Sequence, residues 1–320
     1  MSKYLPEWLK RATPPVGASL RVTKILKQAN LHTVCQSAKC PNLLECFSKG
    51  TATFLILGDK CTRHCRFCAI PSHKNSTAGP GTLKNEPEEV ARAARELRLK
   101  HIVITSVTRD DLTDGGSNKF AETINLVRQF CPGITIEVLT PDFNGNPDHI
   151  RAVADARPDV FNHNLETVPG LYPAIRPEAN YRRSLDLLKY VKSIYPKMIT
   201  KSGIMLGLGE TKPEVLGVFA DLRKVNCDMI TIGQYLRPVL SSATVPVEKF
   251  ITPGEFDGYR RIASGLGFKG VSSGPFVRSS YNAGETAGLT PSGTNKESVK
   301  SPPEADPRLP RARCLRHDAC

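Results

Sequence analysis

No stretch of this 320-residue chain approaches the roughly 18 consecutive apolar residues that a membrane-spanning helix needs. The start of the chain also lacks the apolar core of a secretory signal, so the sequence predicts a cytoplasmic protein. Residues 1–34 carry six Lys or Arg against Glu7 alone, a charge that imitates an organelle transit peptide. Pro6, Pro14 and Pro15 oppose the long amphipathic helix such a peptide would form. Acidic residues are in deficit: 31 Asp and Glu face 44 Lys and Arg, a formal charge of +13. That balance suits nucleic acid or an acidic protein partner. The charges are spread along the chain, and no basic run is interleaved with aromatics. Charge alone leaves both partners open.

Cysteine, by contrast, is plentiful, with ten in the chain. In a secreted protein they would suggest disulfides. Here six lie between Cys35 and Cys68 in two sets of three, a pattern that suits metal ligation in a reducing compartment. Cys131 and Cys227 stand alone in apolar surroundings and read as packing residues, and Cys314 and Cys320 fall in the tail, away from the chemistry. Cys61, Cys65 and Cys68 have the spacing CxxxCxxC and follow the apolar run Phe54 to Leu57. That run predicts a buried strand, and the Gly58–Asp59 turn carries the cysteines onto the loop beyond it. Three thiolates on one tight loop suit three corners of an iron–sulfur cube, leaving a fourth iron for a small ligand. Structural zinc is held by four protein ligands, usually as two CxxC pairs, and fits three cysteines less well. The second set, Cys35, Cys40 and Cys46, reads either as a second cluster short of one protein ligand or as a zinc knuckle bracing an N-terminal arm.

From Phe54 onward strand and helix signals alternate. Strands are expected to start near Phe54, His101, Ile134, Val160, Ile199, Met229 and Lys269. Helices are expected over Pro87–Leu99, Ser117–Phe130, Pro147–Ala156, Tyr181–Ile194, Lys212–Val225 and Pro253–Leu266, with a further short one near Leu20 to Ala29. Pro87, Pro147 and Pro253 suit first helical positions, and Thr211 with Glu214 and Thr252 with Glu255 suit capping boxes. This alternation predicts the α/β class: a partial (β/α) barrel of six to seven parallel units, with its site at the C-terminal strand ends. The expected organisation is an arm over 1–50, the barrel over 51–274, a closing segment over 275–289 and a disordered polar tail over 290–320.

Several strand ends carry polar residues that a purely structural strand does not need. Thr105 and Ser106 end the second strand, and Arg109, Gly115 and Gly116 follow it. Glu137 lies in the third strand, and Asn162, His163, Asn164, Glu166 and Thr167 crowd the end of the fourth. Lys201 and Gly203 mark the fifth, Gln234 and Tyr235 the sixth. Singly, each is a cap or a core hydrogen bond; together they predict the lining of a polar cofactor site. The Gly115–Gly116 pair lets backbone approach a carboxylate. Arg109 and Arg176 can hold carboxylates or form structural ion pairs, and His163 can be a ligand, a base or a satisfied histidine.

The segment GDKCTRHCRFC, with Phe67 directly before Cys68, resembles the radical S-adenosylmethionine enzymes. The double triplet, with TSVTRDDLTDGG, IEVLTPDFNG, FNHNLETV, TKSGIMLGLGET and GPFVRSSY, resembles one family among them, the lipoyl synthases, over roughly residues 5–285. The resemblance implies that Cys61, Cys65 and Cys68 hold a 4Fe–4S cluster whose open iron binds S-adenosylmethionine. Reductive cleavage of that cofactor would then give a 5′-deoxyadenosyl radical. It implies that Cys35, Cys40 and Cys46 hold an auxiliary 4Fe–4S cluster that donates sulfur. Ser280, by its place in RSSY, would be the fourth ligand, with Ser279 the fallback. The cofactor contacts expected are Phe67, which belongs to the family pattern, and Gly115, Gly116, Glu137, Asn162 and Glu166, read from the polar strand ends.

The implied reaction inserts two sulfur atoms, at carbons 6 and 8 of an octanoyl chain on a lysine of a lipoyl carrier domain. Implied partners are octanoylated 2-oxoacid dehydrogenase acyltransferase subunits and the glycine cleavage H protein. An electron donor such as ferredoxin or flavodoxin and a carrier that rebuilds the auxiliary cluster are implied as well. Asn282 stands where the family has His, Arg237–Val245 is two residues longer than usual, and Gly170 and Glu178 replace its Arg and Gly. Two other readings are a two-cluster enzyme acting on tRNA, which would bring an RNA-binding β-domain not seen after Ser280, and a zinc-stabilised binding protein.

Overall fold

The computed structural model describes residues 5–10, 20–37, 40, 42–48, 52–72, 85–238 and 243–280. Asn282, the middle of the Arg237–Val245 segment, most of the closing segment and the tail lie outside the described residues.

The apolar run after Ala52 forms β2 (Thr53–Ile56), with every residue buried. A two-residue strand of the arm, β1 (His32–Thr33), lies antiparallel on it. From β2 onward all pairing is parallel and in chain order, through β3 (His101–Ser106), β4 (Thr135–Leu139), β5 (Val160–Asn162), β6 (Ile199–Leu206), β7 (Met229–Gln234) and β8 (Gly270–Gly274). The sheet ends at β1 and β8 and so is an open, partial barrel rather than a closed one.

The arm contributes α1 (Leu20–Gln28), α2 (Val34–Ser37) and α3 (Leu43–Ser48). The six crossovers are made by α4 (Glu86–Glu96), α5 (Ser117–Phe130), α6 (Pro147–Asp155), α8 (Tyr181–Ile194), α9 (Lys212–Lys224) and α10 (Pro253–Gly265), with the short α7 (Tyr172–Ile175) before α8. Covered on both faces, the parallel strands read as buried apolar runs, and β7 is buried throughout. Val22, Ile25 and Leu26 of α1 join the main core, which docks the arm on the barrel. Among the described residues, no helix is long and apolar enough to cross a membrane.

Two helices, α5 and α8, have the bounds expected from sequence. The other five, α1, α4, α6, α9 and α10, end one to three residues early. After α4, α6 and α9 the chain turns left-handed at Arg98, Arg157 and Asn226 (φ 53°, 57° and 59°). Glycine usually marks such a C-terminal turn, and none stands at these three positions. The box expected at α10 is complete: Thr252 accepts from the Glu255 N–H (3.2 Å), and Glu255 accepts from the Thr252 N–H (2.9 Å). The strands expected from Ile134 and Lys269 begin one residue later. The elements β1, α2, α3 and α7 are too short to carry a period and were invisible in the sequence.

Candidate active site: two cysteine-lined cavities

The chain leaves β2 at Leu57 and Gly58, both left-handed (φ 69° and 90°). A leucine is strained there, and its neighbours fix it: its N–H donates to Glu86 (2.9 Å), and its carbonyl accepts from Arg109 (3.3 Å). The cysteine loop that follows is tied down along its backbone. The Cys61 N–H donates to Pro71 O (3.0 Å), the Thr62 N–H to Thr108 O (3.0 Å) and the Arg66 N–H to Ile175 O (2.8 Å), and Arg66 O accepts from the Val245 N–H (3.0 Å). Inside the loop Arg63, with a side chain 4% exposed, reaches Asp110 (2.7 and 2.9 Å), Asp142 (2.6 Å) and Asn144 (3.0 Å). Asp142 is also bonded by Arg183 (2.8 Å). Burial would raise the Asp142 carboxyl, but the bonded guanidinium of Arg63 outweighs it and holds the group well below the usual range.

So anchored, Cys61, Cys65 and Cys68 line a cavity of about 620 Å³. A second cavity, of about 390 Å³, is lined by Cys35, Cys40 and Cys46 of the arm and by Ser279 and Ser280 of the C-terminal segment. The cavities share a wall that includes Phe67, Cys68, Thr105, Leu139, Asn164 and Glu166. The Cys40 N–H donates to Cys35 O (3.0 Å) and the Cys46 N–H to Asn42 O (2.9 Å). The Asn42 side chain donates to Phe276 O (2.7 Å), tying the second triplet to the C-terminal segment.

The donor sets suit iron–sulfur cubes. Three thiols line each cavity, and each can take a different corner of a cube, whereas structural zinc is held by four protein ligands. Burial pushes the Cys65 thiol up to about 12 and the Cys68 thiol to about 11. Bare, they would stay protonated; a bound metal makes thiolates of such groups. The cavity walls also hold buried oxygens with no hydrogen-bond partner among the described residues, at Ser106, Thr140 and Asn164, which suits a polar ligand.

Two of the six expected cofactor contacts lie here. Phe67 packs against Ile175, Leu208, Tyr235 and Val245 and faces both cavities. Glu166 is left-handed (φ 66°) and bridged to β6 through Gly203 O (2.9 Å) and the Met205 N–H (2.8 Å). Its carboxylate accepts from Asn164 Nδ2 (3.0 Å), which also donates to the Ser279 hydroxyl (2.6 Å).

The other four line neither cavity. Glu137, fully buried, is bonded by Lys201 (3.0 and 3.1 Å) and by Asn162 (3.0 Å), with His101 at 3.7 Å. Its position inside the barrel, midway along β4, turned it away from the strand ends. Gly115 and Gly116 form the turn into α5, where a Cβ on Gly116 would lie 2.2 Å from Leu57; their freedom serves packing. Arg109 forms an ion pair with Asp111 (2.7 Å). His163 is satisfied: its Nδ1–H donates to Thr140 O (2.8 Å), and its Nε2 accepts from the Ser184 hydroxyl (2.9 Å). Burial lowers it to about 4, so it is neutral.

Sequence reasoning missed Arg63 and Asp142. Lying 79 residues apart in the chain, they leave no local signal.

A model of the radical SAM superfamily matches residues 55–222. The chain is 54% identical over 284 residues to a lipoyl synthase of Caldanaerobacter subterraneus subsp. tengcongensis, covering 88% of this chain and 97% of that one. It is 51% identical to a lipoyl synthase of Caldicellulosiruptor saccharolyticus, covering 89% and 98%. Among solved structures, the FeFe-hydrogenase maturase HydG of Carboxydothermus hydrogenoformans has the same fold over 68% of this chain and 52% of its own, with a TM-score of 0.54 at 17% identity.

Proposed function

The chain belongs to the lipoyl synthase family of the radical SAM superfamily, and we propose, from the geometry of its two cavities, which residues carry that family's reaction. The enzyme is a sulfur-inserting transferase. It places sulfur on carbons 6 and 8 of an octanoyl chain attached to a lysine of a lipoyl domain. In our reading Cys61, Cys65 and Cys68 hold the 4Fe–4S cluster that takes S-adenosylmethionine, and Cys35, Cys40, Cys46 and Ser280 hold the auxiliary cluster. When bound, these groups supply a radical able to take hydrogen from unactivated C–H bonds, and the sulfur that replaces it.

The chain's own residues position and shield. Glu166 offers an acceptor and Phe67 an apolar face to the cofactor. Asn164, bonded to both Glu166 and Ser279, holds the two sides in register. Leu55, Leu139, Ile204 and Met205 give the second cavity apolar walls that take an acyl chain and exclude water. The observation that carries this reading is the wall shared by the cavities, since a chain lying along it meets both triplets. Octanoylated acyltransferase subunits and the H protein are the substrates we propose. Ferredoxin or flavodoxin would be the reductant, and a cluster carrier would restore the auxiliary site. We assign the arm to 1–50, the barrel to 51–274 and the closing segment to 275–289, in a reducing cytoplasm.

The test is mass spectrometry of an octanoyl-lysyl peptide incubated anaerobically with reconstituted enzyme, reductant and S-adenosylmethionine. Two sulfurs are gained as 5′-deoxyadenosine forms; cofactor cleavage with an unchanged peptide would sink the reading. Cys35→Ala keeps cofactor cleavage and loses sulfur transfer. Oxygen is a poorer partner than thiolate for soft iron, and a weak fourth link lets the auxiliary cluster open. Ser280→Cys therefore slows sulfur transfer, measured by single-turnover mass spectrometry, and an unchanged rate would refute that role.

A further inference from the structure

Arg176 follows α7 directly and is 7% exposed. A guanidinium so deeply buried normally has a carboxylate partner, because an uncompensated charge is costly inside a protein. Among the described residues no carboxylate lies within ion-pair distance of Arg176, Glu166 being a charged influence on it from the same cavity wall. The Arg176 Nη1 donates to the backbone oxygens of Asn164 (3.1 Å) and Leu165 (2.9 Å) and reaches the Tyr172 hydroxyl at 3.5 Å, all neutral. Its Nε has no hydrogen-bond partner. The ring of Tyr172, 5.1 Å from the guanidinium carbon, backs it. The open side faces the first cavity, the one lined by Cys61, Cys65 and Cys68.

The distance to the cysteine loop is short. The Arg66 N–H donates to Ile175 O at 2.8 Å, so Cys65 and Arg176 each lie one residue from a direct backbone hydrogen bond. Arg176 thus turns an unpartnered Nε toward the cavity that the three thiolates line, with the Glu166 carboxylate in the same wall, so an anionic group held there meets its charge.

We propose that Arg176 is a positioning residue that sets the reduction potential of the cluster held by Cys61, Cys65 and Cys68, and so its readiness to receive the electron that starts catalysis. This rests on the assignment of that cluster under the proposed function. The step is a one-electron transfer from an external low-potential donor protein: the donor is oxidised, the iron–sulfur core is reduced, and no bond or proton moves. The site gains one negative charge, and a fixed cation in a low-dielectric wall favours the more negative state. Arg176 thus makes the cluster easier to reduce.

The test is an anaerobic potentiometric titration of reconstituted wild type, Arg176→Gln and Arg176→Lys, followed by electron paramagnetic resonance. The signal of interest is the one that changes when S-adenosylmethionine is added to the wild type. In Arg176→Gln that cluster becomes harder to reduce by at least about tenfold in the equilibrium constant, about 59 mV for one electron. Arg176→Lys keeps the charge and stays within tenfold of the wild type, and the auxiliary cluster, across the shared wall, does not move. An unchanged potential in Arg176→Gln overturns the proposal. So does an equal fall in Arg176→Lys, which points to lost hydrogen bonds, or an equal fall at both clusters, which points to general rearrangement. If Arg176→Gln does not fold, Arg176→Lys alone decides, a tenfold fall there overturning the proposal. A wild-type protein that assembles no cluster on these three cysteines refutes the proposed function instead.

Discussion

His163 shows how a single residue is decided by its surroundings. Both ring nitrogens are bonded inside the core, and burial lowers the group from 6.5 to about 4. Between those values the unfolded chain holds a proton that the folded chain does not, so stability falls as pH drops from 6.5 toward 4. The contribution of this one group has a slope of at most about 1.4 kcal/mol per pH unit. Urea unfolding at pH 7, 6 and 5 measures it, and His163→Gln should flatten the dependence; an equal slope in the variant would reject the assignment. The sequence left His163 open among ligand, base and satisfied core residue, because its partners Thr140 and Ser184 lie 23 and 21 residues away. Glu137, expected at the cofactor, is instead found bonded to Lys201 and Asn162 in the barrel interior, for the same reason. Its partner Lys201 is 64 residues distant, and only strand pairing brings the two together.

Among the elements, β7 and the C-terminal segment depend on each other through Gly233. A Cβ there would lie 2.1 Å from the Val277 carbonyl oxygen, a backbone atom with no rotamer to escape into. Gly233→Ala must therefore push Val277 away and carry Ser279 and Ser280 out of the second cavity, while the cysteine loop keeps its backbone anchors at Pro71, Thr108 and Ile175. The expected outcome is a fall of roughly tenfold to a hundredfold in sulfur insertion with 5′-deoxyadenosine formation retained. Equal loss of both products would show that the segment is not a separate module. The long helices were legible from their periodic apolar faces and their proline and capping signals, as in α5, α8 and α10. The arm's α2 and α3 were not, because four and six residues span too few turns to show a period.

At the scale of the molecule, the excess of 13 positive charges is a field rather than a site. Such a field speeds encounter with an acidic protein and is screened by salt. Raising ionic strength from about 0.05 to 0.5 M should raise KM for an octanoylated carrier domain several-fold, with kcat little changed. KM for a short octanoyl-lysyl peptide should hardly move, and equal salt sensitivity for both substrates would remove the field from docking. By itself the sequence determined the class of chemistry and the α/β barrel, because both rest on short-range information. Three thiols within eight residues define one donor set, and each strand or long helix writes its own period. Only the tertiary structure decided what surrounds those thiols. Arg63 and Asp142 clamp the loop, Arg176 lines its cavity with an unpartnered Nε, Asn164 links Glu166 to Ser279, and Gly115, Gly116, Glu137 and Asn162 line neither cavity. These relations arise where strands far apart in the chain end side by side, and a contact across such strands leaves no local trace in the order of residues.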